Sequence, residues 1–189
     1  MNESLFLLLN SYAGHFHLLD LSMIALAKGG VYLFILTEIY LYFFKNKRNE
    51  SVFAFYAVVI GLFATFLIGL FYFHNRPFMD GVGKMIMYHK AENSFPSEHT
   101  VFMSSIAFMF LYLKNMRGLG AILLLLAIIS GLARVFVGVH YPFDIAGGVI
   151  IGAVSAYIVY LLRAYLEVLN ELIFKVNDFI SGRFKNGNR

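Results

Sequence analysis

Clusters of polar residues divide the chain into a few long apolar runs. Five of them, 21–44, 52–73, 97–114, 119–137 and 143–162, are near the roughly 20 apolar residues that cross the hydrocarbon core of a bilayer. The first stops at Lys45-Asn46-Lys47-Arg48-Asn49-Glu50, the second at His74-Asn75-Arg76-Pro77, and the third at Lys114. Residues 78–95 carry Asp80, Lys84, His89, Lys90, Glu92 and Asn93, and are expected to form a loop. The first twenty residues mix apolar positions with Glu3, Asn10, His15, His17 and Asp20. They have no basic stretch and no small-residue cleavage site, so an interfacial helix is expected there rather than a signal peptide.

After Arg163, apolar residues recur at Leu166, Leu169, Ile173, Val176 and Ile180, with Glu167, Glu171, Lys175 and Asp178 on other faces. This pattern predicts an amphipathic interfacial helix packed against the spans, with a homodimer seam as the alternative. The expected fold is therefore all-α: a polytopic membrane helical bundle of about five transmembrane helices plus interfacial N- and C-terminal helices. It is expected to form one domain over 1–189, with 163–189 as a cytoplasmic tail.

Composition agrees. Hydrophobic residues make up 60% of the chain and charged residues only 14%, with a mean hydropathy of +0.73. A soluble domain carries about a quarter charged residues, and disorder needs low hydrophobicity and high charge, so both are excluded. The absence of cysteine excludes disulfides, a thiol nucleophile and Cys-ligated metals. The net charge of +4 is not a nucleic-acid signature here, because the basic residues gather at span ends.

One side receives Lys45, Lys47, Arg48, Lys114, Arg117, Arg163, Lys175, Arg183, Lys185 and Arg189; the other receives Lys28, Arg76, Lys84, Lys90 and Arg134. The excess of basic residues predicts that the first set is cytoplasmic, together with the C-terminus. The 76–99 loop then faces outward. Tyr40, Tyr42, Tyr72, Tyr141 and Tyr160 are expected as interfacial anchors, and Lys28 and Glu38 as residues that snorkel to a span end.

Ionisable residues are scarce, so their placement is informative. Arg76, His99, Arg134, His140 and Asp144 lie at the ends of four spans, and the expected topology brings all five to one surface. Two arginines supply fixed charge with a fork suited to phosphate oxygens. Pro96-Ser97-Glu98-His99 looks like a helix start, whose free N–H groups and dipole favour an anion. Asp144 lies four residues after His140 and can accept its ring N–H, leaving the other ring nitrogen free as a nucleophile. His99 is placed as general acid for the leaving group. This set describes phosphoryl transfer through a covalent phosphohistidine. It requires no metal or other cofactor, because the arginines can hold the developing charge. His15, His17, His74 and His89 are read as interfacial or loop residues. A transporter would instead place polar groups at mid-span and show broken inverted repeats, and neither is visible.

With these motifs the chain resembles the type 2 phosphatidic acid phosphatase (PAP2) superfamily, whose signatures are Lys-x6-Arg-Pro, Pro-Ser-Gly-His and Ser-Arg-x5-His-x3-Asp. Arg76-Pro77 matches the end of the first signature, and Pro96-Ser97-Glu98-His99 the second. Ala133-Arg134 through His140 to Asp144 matches the third, so the motif region is 69–144. Three positions depart from the pattern: Gly69 stands for the lysine, Glu98 for the glycine and Ala133 for the serine. Lys84 or Lys90 is a candidate replacement for the missing charge. The acidic residue in the second signature, the missing lysine and the short length resemble the bacterial undecaprenyl-diphosphate phosphatase branch, of the bacitracin-resistance type.

That resemblance implies a lipid pyrophosphate substrate among membrane lipids, hydrolysed at the outer face of a bacterial cell membrane. Phosphatidylglycerophosphate and phosphatidic acid are the alternative substrates. The resemblance also implies His140 as nucleophile, Asp144 as its orienting partner and His99 as acid, with Arg76, Ser97 and Arg134 binding phosphate. Glu98 is grouped with the phosphate binders, as a residue that tunes His99 or repels a misplaced substrate.

Overall fold

The computed structural model describes the backbone of residues 1–186 and the side chains of residues 1–176. Among the described residues there are six α-helices and no strand: α1 (Asn2–Asn10), α2 (His17–Phe44), α3 (Arg48–Phe71), α4 (Glu98–Tyr112), α5 (Arg117–Phe136) and α6 (Pro142–Asn186). Four of them, α2, α3, α5 and α6, are long and apolar enough to cross a membrane. The expected third span is different. α4 has 15 residues, about 22 Å at the α-helical rise, which is short of the roughly 30 Å hydrocarbon core.

α4 lies at the centre of the bundle. Val101, Met103, Ile106, Ala107, Met109 and Phe110 are all buried, and α3, α5 and α6 pack around them. Small residues permit the close approach, as in membrane bundles generally. Gly148 and Gly152 of α6 face Thr100 and Ser104 of α4, and the Ser104 hydroxyl donates to the Gly148 carbonyl at 3.1 Å.

Both chain ends depart from the simple interfacial expectation. α1 docks onto protein: Phe6 is fully buried against Val135, Tyr141 and Ile145. Asn10 also reaches across, donating to the carbonyls of Lys84 and Phe136, both at 2.8 Å, and accepting from Lys84 N–H at 2.7 Å. The C-terminal tail is not a separate helix but the continuation of α6. Its bundle-facing positions are Leu166, Asn170 and Phe174, spaced by four. Asn170 is buried between Tyr56 at 2.8 Å and Asn49 at 3.1 Å. Leu169, Ile173 and Val176 of the expected stripe are exposed, whereas Asp178 and Ile180 lie outside the residues whose side chains are described.

The two turns at the end opposite the C-terminus of α3 meet through Asn115, which donates to Glu50 at 2.9 Å, while Lys47 pairs with Glu50 at 3.1 Å. Glu38 does not snorkel. It lines an apolar groove of about 590 Å³ between α2 and α3, among Ile35, Ile39, Val52 and Phe55. One of its carboxylate oxygens is buried with no hydrogen-bond partner among the described residues.

Candidate active site

Local sequence brings the site together at one end of the bundle. α5 ends with Arg134 in its last turn, and Gly138 follows at φ +87. The Gly138 N–H bonds the Val135 carbonyl and the Val139 N–H bonds the Arg134 carbonyl, each at 3.1 Å. This is the left-handed stop that glycine adopts without steric cost. The chain reverses at once, so His140 folds back beside Arg134. Pro142 then opens α6, and Asp144, in the first turn, accepts the Tyr141 N–H at 2.7 Å. That is half of a capping box, and it places the carboxylate at the positive end of the helix.

The remaining residues come from the loop between α3 and α4 and from the first turn of α4. Arg76 is held extended by the following proline. Asn93 fastens the loop by accepting from His74 N–H at 2.8 Å and donating to the Tyr72 carbonyl at 3.0 Å. Ser94 N–H bonds the His74 carbonyl at 2.8 Å.

These segments enclose a cavity of about 260 Å³ lined by Arg76, His89, Glu92, Glu98, His99, Arg134 and His140, with Thr65, Phe66, Gly69 and Leu70 of α3 on one wall. Arg76 Nη1 lies 3.2 Å and Arg134 Nη2 3.5 Å from His140 Nε2. Both arginines are almost fully buried. Arg76 also donates to the carbonyls of Val139 (2.9 Å), Glu92 (3.1 Å) and Asn93 (3.1 Å). Arg134 donates to the Ala27 carbonyl at 3.2 Å, and its buried Nε has no partner among the described residues. Burial holds His140 down at about 3, with Arg134 and Arg76 adding to it and Asp144 opposing. The free site therefore presents neutral imidazole beside two cations.

Five of the seven expected site residues line the cavity: Arg76, Glu98, His99, Arg134 and His140. Asp144 is fully buried behind His140, with Oδ2 3.5 Å from its Nδ1. Ser97 also lies behind the wall. Its hydroxyl accepts from Thr100 at 3.2 Å and its N–H bonds the Asp144 carbonyl at 3.1 Å, so it supports the site rather than facing the cavity.

Neither Lys84 nor Lys90 lines the cavity; His89 does. Its Nε2 is 3.3 Å from Arg134 Nη2, and burial lowers its pKa, with both arginines adding to the effect. Three further residues escape the sequence reading. His74 Nδ1 lies 3.1 Å from Asp144 Oδ1, and Ser94 sits between His140 and Asp144. Tyr141 is a buried member of the site end, donating to Asp80 at 3.0 Å, and not a lipid anchor. No spacing rule singles out these residues. The one available signal was that His74 is two residues from Arg76.

Fold and site together define an integral-membrane helical enzyme with an arginine- and histidine-lined cavity fit for a phosphate group. A PAP2 superfamily model matches residues 50–167, more than half of the chain, and the chain belongs to that superfamily of phosphatases. It is similar to the undecaprenyl-diphosphatase BcrC of Bacillus subtilis (strain 168), at 28% identity over 95% of this chain and 93% of that protein. It is also similar to the bacitracin transport permease protein BcrC of Bacillus licheniformis, at 30% identity over 92% and 86% of the two chains. The crystal structure of Aquifex aeolicus LpxE shares the fold, with a TM-score of 0.70 and 26% identity over 82% of this chain and 92% of that one.

Proposed function

We propose that this membrane phosphatase hydrolyses undecaprenyl diphosphate to undecaprenyl phosphate and inorganic phosphate, recycling the carrier lipid of peptidoglycan synthesis. The observation that carries this reading is the convergence of Arg76, Arg134 and His140 Nε2 on one cavity. In the first step Nε2 attacks the terminal phosphorus and the bridging P–O bond breaks. His99 takes up a proton as the anionic diphosphate binds and supplies it to the departing lipid phosphate. In the second step water attacks the phosphohistidine, His99 takes its proton, and phosphate leaves.

The two guanidinium groups hold the charge that spreads over the equatorial oxygens. The first turn of α4, at Glu98 and His99, adds the positive end of a helix. Phe66 and Leu70, exposed on the outer surface of α3 and lining the cavity, offer a path for a prenyl chain from the lipid phase. The name of the Bacillus subtilis relative supports an isoprenoid diphosphate over a glycerolipid.

The grouping of Lys45, Lys47, Arg48, Lys114 and Arg117 at the opposite end supports an outward-facing site and a cytoplasmic C-terminus. The test is phosphate release by purified protein in detergent with EDTA present. Undecaprenyl diphosphate is compared with phosphatidylglycerophosphate and phosphatidic acid, beside His140→Ala. Release from the isoprenoid diphosphate that is lost in the variant is expected. A preference for either glycerolipid overturns the substrate, and activity surviving in His140→Ala overturns the phosphohistidine.

A further inference from the structure

Arginine carries hydrogen-bond donors and no acceptor. With Arg76 Nη1 at 3.2 Å and Arg134 Nη2 at 3.5 Å, His140 Nε2 has to be the accepting nitrogen, and the single proton of the neutral ring is on Nδ1. Nδ1 has two acceptors in view. Asp144 Oδ2 stands at 3.5 Å, the outer limit of a hydrogen bond, whereas Ser94 Oγ is at 3.2 Å.

A serine hydroxyl that accepts this N–H must direct its own hydrogen elsewhere. Asp144 Oδ2 is 2.5 Å from Ser94 Oγ, the short separation of a hydroxyl donating to a carboxylate. The rest of the carboxylate is engaged by Tyr141 N–H on Oδ2 and His74 on Oδ1. Ser94 is itself immobilised: it is fully buried, and its N–H is held by the His74 carbonyl.

We propose that Ser94 is a positioning residue that links His140 to Asp144, so that the histidine–carboxylate pair of this site is bridged by a hydroxyl and His140 is locked in the Nδ1–H tautomer. The lock keeps the Nε2 lone pair turned toward the cavity. When a phosphoryl group adds to Nε2 the ring becomes cationic. Its Nδ1 proton stays in place, and the Ser94 hydrogen stays on Oγ. The aligned chain of dipoles carries the stabilisation from Asp144 to the ring. The catalytic consequence rests on the proposed phosphohistidine reaction, whereas the tautomer does not.

The test therefore has two arms. In the first, protein labelled with ¹⁵N-histidine is examined by NMR in detergent, with His140→Gln identifying the His140 signals. The expected result is a neutral His140 protonated on Nδ1, whose fixed tautomer is lost in Ser94→Ala. A wild-type His140 protonated on Nε2 overturns the inference, whatever the enzyme hydrolyses.

The second arm is kinetic, with an isoprenyl diphosphate. Ser94→Ala is expected to lower kcat about 10-fold or more, the size of one lost hydrogen bond to a charged group, with KM nearly unchanged. Ser94→Thr, which keeps the hydroxyl, recovers most of the rate. The double variant Ser94→Ala/Asp144→Ala is expected to be no slower than Asp144→Ala, because the two residues act as a unit. Unchanged kcat in Ser94→Ala, or losses that multiply in the double variant, overturn the inference. Failure of the wild type to release phosphate would instead count against the proposed function and leave the NMR arm to decide.

Discussion

Replacing Arg76 by lysine keeps the charge and removes the fork. Arg76 spreads its five N–H donors over three backbone carbonyls, Glu92, Asn93 and Val139, as well as His140 Nε2. A lysine ammonium concentrates three donors at one point on a flexible four-carbon stem, and cannot reach carbonyls that approach the guanidinium from different sides. Two losses follow. The carbonyls left without a donor cost about 1–3 kcal/mol each where buried, and Val139 is fully buried, so the loop between α3 and α4 loosens. Losing one preorganised donor to the transferring phosphoryl group costs about 3 kcal/mol, about 100-fold in kcat/KM. Steady-state phosphate release, run beside apparent thermal midpoints in the same detergent, measures both. The expected outcome is a kcat/KM about two orders of magnitude below wild type and a lowered midpoint. A variant within about threefold of wild type in kcat/KM would show that charge alone suffices and that the guanidinium geometry is incidental.

Three other outcomes follow from the packing and the electrostatics. Gly138→Ala forces a side chain into a left-handed conformation and drives its Cβ against the Lys84 carbonyl; the activity measured per folded protein is expected to fall at least 10-fold, because His140 is displaced. Gly152→Ala pushes α6 off α4 at Ser104 and Ser105; overpacking of about 1–3 kcal/mol is expected to lower the apparent midpoint in a thermal scan while KM stays unchanged. His140 is held at about 3 when folded against about 6.5 when unfolded, so the unfolded state takes up the proton first. Stability is expected to fall as pH drops from about 6.5 toward 3, and His140→Gln is expected to flatten that decline in midpoints measured from pH 7.5 to 4.

What the sequence disclosed and what it hid have a common physical basis. Long apolar runs are set by bilayer thickness, so α2, α3, α5 and the start of α6 were legible to within a few residues. α4 is just as apolar but short, and hydropathy does not reveal that it lies buried at the centre of the other helices. Arg134, His140 and Asp144 were legible because one glycine stop and one helix start fix their relations within ten residues. Ser94 and His74 were not. Their roles depend on where the loop between α3 and α4 settles against α6, and that is decided by tertiary bonds such as those of Asn93 and Asn10. Ser97 shows the converse. Its motif position suggested a ligand of phosphate, but the hydrogen bond from Thr100 turns its hydroxyl into the bundle.

The empty position in the first signature gives the sharpest test of how the cavity selects its substrate. Gly69 lies on the cavity wall, where an added Cβ would meet only the Asn93 side-chain amide, at 3.4 Å. A longer side chain is therefore tolerated at that point, and a lysine there can extend toward the anion site. Gly69→Lys restores the charge that the superfamily signature carries. It also fills part of the cavity that Arg76 and Glu92 line as well, room that a second phosphate would need. A single phosphate gains an ammonium contact, while a diphosphate gains the same contact and loses room. The ratio of kcat/KM for a monophosphate lipid to that for an isoprenoid diphosphate is expected to rise about 10-fold, one charge-assisted hydrogen bond's worth. Parallel phosphate-release assays on phosphatidic acid and undecaprenyl diphosphate read this ratio directly. An unchanged ratio, with both substrates improved or both impaired together, would mean that Gly69 does not border the second phosphate.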